Sequence, residues 1–103
     1  MDKIAMLKEI LAQNPNDVFA RYGLAMEHAN QGDAATALAE FQQLTTAHPD
    51  YTAGYQMAAQ LLIKAGRDGE ARKQLEAGVA AARRTGNSLA LNEMSAMLDE
   101  LSA

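Results

Sequence analysis

Pro15 and Pro49 stand 34 positions apart, and so do Gly32 and Gly66. Three further pairs keep the same spacing: Ala25 with Ala59, Ala37 with Ala71, and Phe41 with Leu75. A period of this length means that one supersecondary unit occurs twice, each copy burying its apolar face against its neighbours. Composition says what the unit is made of. The 103 residues include 22 Ala, 12 Leu and 6 Met, against ten β-branched residues and no Trp or Cys. Ala, Leu and Met lose little entropy in a helix, whereas strands favour β-branched and aromatic side chains. The repeated unit is therefore helical. With 49% apolar residues and a net charge of -4, the chain has the composition of a folded domain.

Turn residues divide the chain into six helical segments. Asn14-Pro15 and His48-Pro49 are proline breaks, because the residue before proline avoids the α region. Gly32, Gly66 and Gly86 are glycine stops, with Asp33, Asn87 and Ser88 behind them as cap candidates. Each segment carries apolar residues at helical spacing. Ile4, Leu7, Ile10 and Leu11 form the first stripe, and Leu24, Ala25 and His28 the second. Ala37, Leu38, Phe41 and Leu44 follow, then Tyr55, Ala58, Ala59 and Leu62. Ala71, Leu75 and Val79 mark the fifth segment, in which Gly69 and Gly78 are weak points. Met94, Met97, Leu98 and Leu101 mark the last.

The pattern resembles the tetratricopeptide repeat, which has this same period. The first copy reads Arg21, Leu24, Ala25, His28, Gly32, Ala37, Phe41 and Pro49. The second reads Tyr55, Ala58, Ala59, Leu62, Gly66, Ala71 and Leu75. Arg21 stands for the usual Trp, His28 for Tyr, and Arg83 for the second closing proline. Leu44 and Gly78 stand where Ala is usual. The resemblance implies an all-α fold, a right-handed stack of six antiparallel helices in a single domain. Residues 2–13 form an N-terminal flanking helix, 16–49 and 50–83 two helix pairs, and 87–101 a C-terminal capping helix. Ala25, Ala37, Ala59 and Ala71 are the places where paired helices approach closely.

The composition excludes several kinds of chemistry. Without cysteine there is no thiolate nucleophile, disulfide framework or Cys-based zinc site. His28 and His48 are too far apart in sequence to form a metal-binding pair. The serines, Ser88, Ser95 and Ser102, have no histidine nearby. His28 reads as a hydrogen-bonded core residue, His48 as a C-cap, and Asp33 and Asp50 as N-caps. No enzyme, metal or cofactor is expected. A pI near 5.0 argues against nucleic acid. No run approaches the roughly 18 apolar residues of a membrane span, and no apolar stretch follows the first residues as in a secretory signal. The expectation is a cytoplasmic protein with no membrane contact. Residues 1–51 carry a net charge of -4, and residues 64–84 a net of +3 from Lys64, Arg67, Arg72, Lys73, Arg83 and Arg84. This basic set reads as helix ends and a solvated face.

The second segment has more apolar surface than its own pair needs. At about 100° per residue, Arg21, Leu24, Ala25 and His28 share the core arc. Phe19, Tyr22, Met26 and Ala29 lie on another, and Ala20, Glu27 and Gln31 on a third expected to face solvent. In the family resembled, first helices line a concave groove that takes peptides. That places Phe19, Tyr22, Met26, Ala29 and Asn30 in the groove. The second copy adds Ala53, Gln56, Met57, Gln60, Ile63 and Lys64, and the last helix Leu91 and Met94. Three uses fit this face: a partner groove, cover by the chain's own end helices, and a homodimer contact. The leading expectation is an interaction module, a monomer or weak homodimer, holding an apolar or amphipathic peptide. Asn30 and Lys64 alone do not make a clamp for an acidic C-terminal tail.

Overall fold

A computed structural model describes residues 2–102. Among them are six α-helices and no strand: α1 (Lys3–Gln13), α2 (Val18–Asn30), α3 (Ala34–Ala47), α4 (Thr52–Lys64), α5 (Asp68–Thr85) and α6 (Ser88–Ser102). They group into two compact units, Met1–His48 with α1 to α3 and Pro49–Ala103 with α4 to α6.

The helix starts follow from single side chains. Asp2, Asp17 and Asp33 each accept a hydrogen bond from the backbone N–H three residues on, at 2.8, 2.9 and 3.1 Å. Asn87 does the same for α6 at 3.1 Å. Each satisfies a donor that the first turn leaves without a partner. Asp50 departs from its expected capping role. Tyr51 holds the cap position of α4 and makes no side-chain cap bond. One residue earlier, the Asp50 carboxylate turns instead to Arg84 of α5, accepting from Nη2 at 2.9 Å and Nε at 3.0 Å.

The helix ends repeat one design three times. Gly32, Gly66 and Gly86 have φ of +82°, +77° and +68°, the left-handed region that glycine enters without strain. After each, the next N–H reaches back five residues to a carbonyl: Asp33 to His28, Arg67 to Leu62 and Asn87 to Ala82, at 2.8–2.9 Å. This bond satisfies a carbonyl of the last turn. Helices α1 and α3 stop at their prolines, with Asn14 and His48 in the C-cap positions. With Arg83 where a closing proline would stand, α5 runs on to Thr85.

In unit 1, Ala25, Ala37, Phe41 and Leu44 of α2 and α3 are fully buried. On α1, Leu11 packs with Ala20 and Leu24 of α2, supported by Ile4 and Leu7. This corrects the expectation that Ala20 and Glu27 face solvent. Ala20 is buried, and Glu27 lies 3.5 Å from Lys3 of α1. Gly23 makes the approach possible, since a Cβ there would stand 3.3 Å from Leu7 Cδ2. Ile10 leaves the expected stripe and points outward. Unit 2 buries Ala58, Ala59 and Leu62 of α4, Ala71, Leu75 and Val79 of α5, and Ala90 and Met94 of α6. Gly78 is its tightest point. A Cβ there would come within 2.9 Å of Tyr55 Cβ and collide with Met94. The glycine that weakens α5 in isolation is what lets three helices meet.

Candidate functional site

Helix α2 has three occupied sides, and two are structural. Its core side carries Leu24 and Ala25, flanked by two polar groups. The Arg21 guanidinium donates to Glu40 of α3 at 2.8 Å and to the Pro15 carbonyl at 3.3 Å. This pairing is how an arginine occupies a place expected to be aromatic: both partners are mostly enclosed, and a buried charge needs its counter-ion. His28 is also largely enclosed, with Nδ1 3.8 Å from the Asp33 carboxylate. Hydrogen bonding from Thr36 holds the Asp33 carboxyl below its ordinary range. The second side, Ala20, Gly23 and Glu27, lies under α1.

The third side carries the residues singled out from sequence. Phe19 is 81% exposed. Tyr22 and Met26 are half-buried and Asn30 is exposed, with Ala29 half-buried beside them. The Tyr22 ring meets Phe41 of α3 edge-on, with centroids 5.9 Å apart and an interplanar angle of 65°. Tyr22 thus serves the pair's packing with one edge while its helix face stays open. Helix α1 does not cover Phe19, so at that residue the end helix leaves the face bare.

In unit 2 the counterpart residues lie on α4. Ala53, Gln56, Met57 and Ile63 are half-buried, and Gln60 and Lys64 exposed. Gln56 donates to Glu93 of α6 at 2.9 Å, and Asn87 reaches Thr52 at 3.4 Å. The face between α4 and α6 is therefore polar where it is bridged. Leu91 is half-buried. Met94 is a correction: it is fully buried, its sulfur lying against Gly78, and it belongs to the core. Helical spacing sets Met94 in the stripe of its own segment; the repeat register misleads, because Met94 falls one period after Gln60 and two after Met26, while Gly78 opposite leaves room for the methionine inside. Sequence reasoning missed Glu93. Its signal is that Ala25 and Ala59, two periods and one period earlier, are buried alanines. A glutamate in that register marks an open face.

The basic residues of α5 and its N-cap, Arg67, are partly engaged. Arg67 grips Glu70 through Nε at 2.6 Å and Nη2 at 2.7 Å. This pairing lowers the Glu70 carboxyl and raises the Arg67 guanidinium from their ordinary values. Arg72 donates to the Leu101 carbonyl and Ser102 Oγ at the end of α6. Arg84 joins Asp50 and the Pro49 carbonyl, which also accepts from Tyr55 Oη at 2.8 Å. Burial raises the Tyr55 phenol, with Arg84 opposing. Among the described residues, no three His, Asp or Glu side chains gather as a metal site, and no helix is long and apolar enough to cross a membrane.

Comparison with known proteins agrees with the period read from the sequence. The tetratricopeptide repeat family model matches residues 28–91. A TPR repeat-containing protein of Pseudomonas aeruginosa is 30% identical over 95 residues, covering 92% of this chain and 90% of that one. The solution structure of a tetratricopeptide repeat domain protein from Salinibacter ruber is similar with a TM-score of 0.80 at 32% identity, covering 85% of this chain and 89% of that one. The solution structure of a Bordetella parapertussis protein gives a TM-score of 0.82 at 24% identity over 99% of this chain and 89% of that one. That last likeness speaks to fold alone. The architecture is an all-α helical repeat.

Proposed function

Because this chain belongs to the tetratricopeptide repeat family, we propose that it is a non-catalytic protein–protein interaction module, an adaptor or assembly factor that holds an apolar or amphipathic segment of its partner. The observation that carries this reading is Phe19, 81% exposed on the side of α2 that also carries Tyr22 and Met26. A phenylalanine left in water beside Tyr22 and Met26 gains by being covered, at about 25 cal/mol per Å² of apolar area removed from solvent. Met26 is soft enough to fit more than one ligand shape. Tyr22 adds area and a polar tip, and Asn30 offers amide donors and acceptors at the end of the same face. On α4, Met57 and Ile63 between Gln56, Gln60 and Lys64 make the corresponding mixed surface.

Neither the α2 face nor the α4 face carries a cluster of cations. Asn30 on the one and Lys64 on the other do not make a clamp for an acidic tail. The segment that fits supplies aliphatic or aromatic anchors and few carboxylates.

The test is selection from a random peptide library on the intact chain, followed by titration of the selected peptides. Apolar or amphipathic sequences are expected, with affinity falling at least about tenfold in Phe19→Asp, or some 1.4 kcal/mol. Phe19 touches no core, so the melting temperature should hold. Equal binding by the variant, or selection of acidic C-terminal tails, overturns the reading. A compact dimer that loses its contact in Met26→Asp would show the face covered by a second copy instead.

A further inference from the structure

Four large apolar side chains stand in solvent among the described residues: Met6 and Ile10 on α1, Phe19 on α2 and Leu89 on α6. Phe19 belongs to the face just described. The other three are related by the repeat period. Leu89 comes two periods after Arg21 and one after Tyr55. Met6 comes one period before Glu40, and Ile10 two periods before Gly78.

Each of those related residues has a partner within its own unit. In unit 1, Arg21 of α2 meets Glu40 of α3 at 2.8 Å. In unit 2, Tyr55 of α4 lies so close to Gly78 of α5 that an added Cβ would stand 2.9 Å from its own. Two separate units thus show the same rule. The first-helix position held by Arg21, Tyr55 and Leu89 touches one stretch of the second helix. That stretch is a single turn, the positions of Glu40 and Gly78, which in α1 are Met6 and Ile10. The third pairing the rule calls for is Leu89 on Met6 and Ile10. All three are bare, at 69%, 50% and 43% exposure.

Charge follows the same register. Ala25, Ala37, Ala59 and Ala71 are all fully buried in the two complete pairs. One period on from Ala59 is Glu93, and one period back from Ala37 is Lys3. Where each complete pair buries an alanine on both helices, the third carries a carboxylate on its first helix and, on its second, an ammonium that lies 3.5 Å from Glu27 of its own chain.

We propose that the chain associates head to tail with a second copy of itself, α6 of one copy lying along α1 of the next as α4 lies along α5. Leu89 of one copy seats on Met6 and Ile10 of the other, and Glu93 approaches Lys3. The contact joins two different surfaces and is heterologous: it extends as an open chain of copies, or closes into a ring where the rotation between copies allows.

The cysteine-free sequence makes the test direct. Chains carrying Met6→Cys and chains carrying Leu89→Cys are mixed at millimolar concentration under mild oxidation. The mixture should form a disulfide-linked pair at least about tenfold faster than Met6→Cys mixed with Lys73→Cys, an exposed α5 position off the proposed contact. Light scattering on the unmodified chain should show mass rising with concentration above that of one copy, and Leu89→Glu should abolish the rise. Both sites are exposed, so helical content and melting temperature serve as controls for folding. Cross-linking of Met6→Cys with itself as fast as with Leu89→Cys would mean a symmetric contact and overturn the proposal. So would a mixture no faster than the Lys73→Cys control, or a mass that stays at one copy throughout.

Discussion

Two glycines of α5, Gly69 and Gly78, ask opposite things of the same substitution. Gly69 lies in the first turn with nothing within 4 Å of an added Cβ, so Gly69→Ala gains helix propensity and little else. It should raise stability by up to about 1 kcal/mol. Gly78 would gain the same propensity and lose more. Met94 could swing its sulfur aside, but Tyr55 Cβ is tied to the α4 backbone and cannot, so two helices must separate. Overpacking of this kind costs about 1–3 kcal/mol, and Gly78→Ala should destabilise the protein on balance. Urea unfolding checks both through opposite shifts in midpoint at unchanged slope. Sequence alone ranks both glycines as weak points, because propensity is local and the neighbour of a side chain is not.

The helices show where local information suffices. The three glycine stops are legible because a chain reversal needs φ > 0 at one residue, and glycine supplies it. Gly66→Ala should cost about 1 kcal/mol or slightly more through backbone strain alone, since a Cβ there meets nothing within 4 Å. A thermal melt of this variant separates strain from crowding. Crowding is tested by Ala37→Leu and Ala71→Leu: both alanines are fully buried, and each change should cost about 1–3 kcal/mol. Other features depend on which helix lies alongside. The side of α2 given to solvent from its phase is roofed by α1 through Gly23. Asp50 leaves its cap for the guanidinium of Arg84, one period further along the chain. Of the site residues, Phe19 needs only helical phase to be found on an open side of α2. Met94 stands in the apolar stripe of its own helix but shares a repeat register with Met26 and Gln60, and only Gly78 opposite decides between the two.

At the scale of the whole chain, the titrating groups set a pH window for stability. The folded structure lowers the Asp33 and Glu70 carboxyls through hydrogen bonds from Thr36 and Arg67. A lowered carboxyl binds fewer protons folded than unfolded, so its stabilisation is present above the ordinary value and lost as pH falls. Those ordinary values are 3.8 and 4.5, so the acid limb lies below about pH 4.5. The Tyr55 phenol is raised instead, chiefly by burial, from an ordinary value of 10.0. Its neutral form is favoured in the fold, so its contribution is complete below pH 10 and is lost as pH rises beyond. The two limbs rest on different residues and separate by mutation. Asn can still cap a helix but does not titrate, so the melting-temperature gap between Asp33→Asn and the parent should close as pH falls from 6 to 3. Tyr55→Phe keeps the ring and gives up the bond to the Pro49 carbonyl. It should melt below the parent at neutral pH, and the gap should narrow above pH 10. A gap that stayed constant across either limb would remove that residue from the pH dependence, while the hydrogen bonds of Asp33 and Tyr55 would still account for the loss of stability at neutral pH.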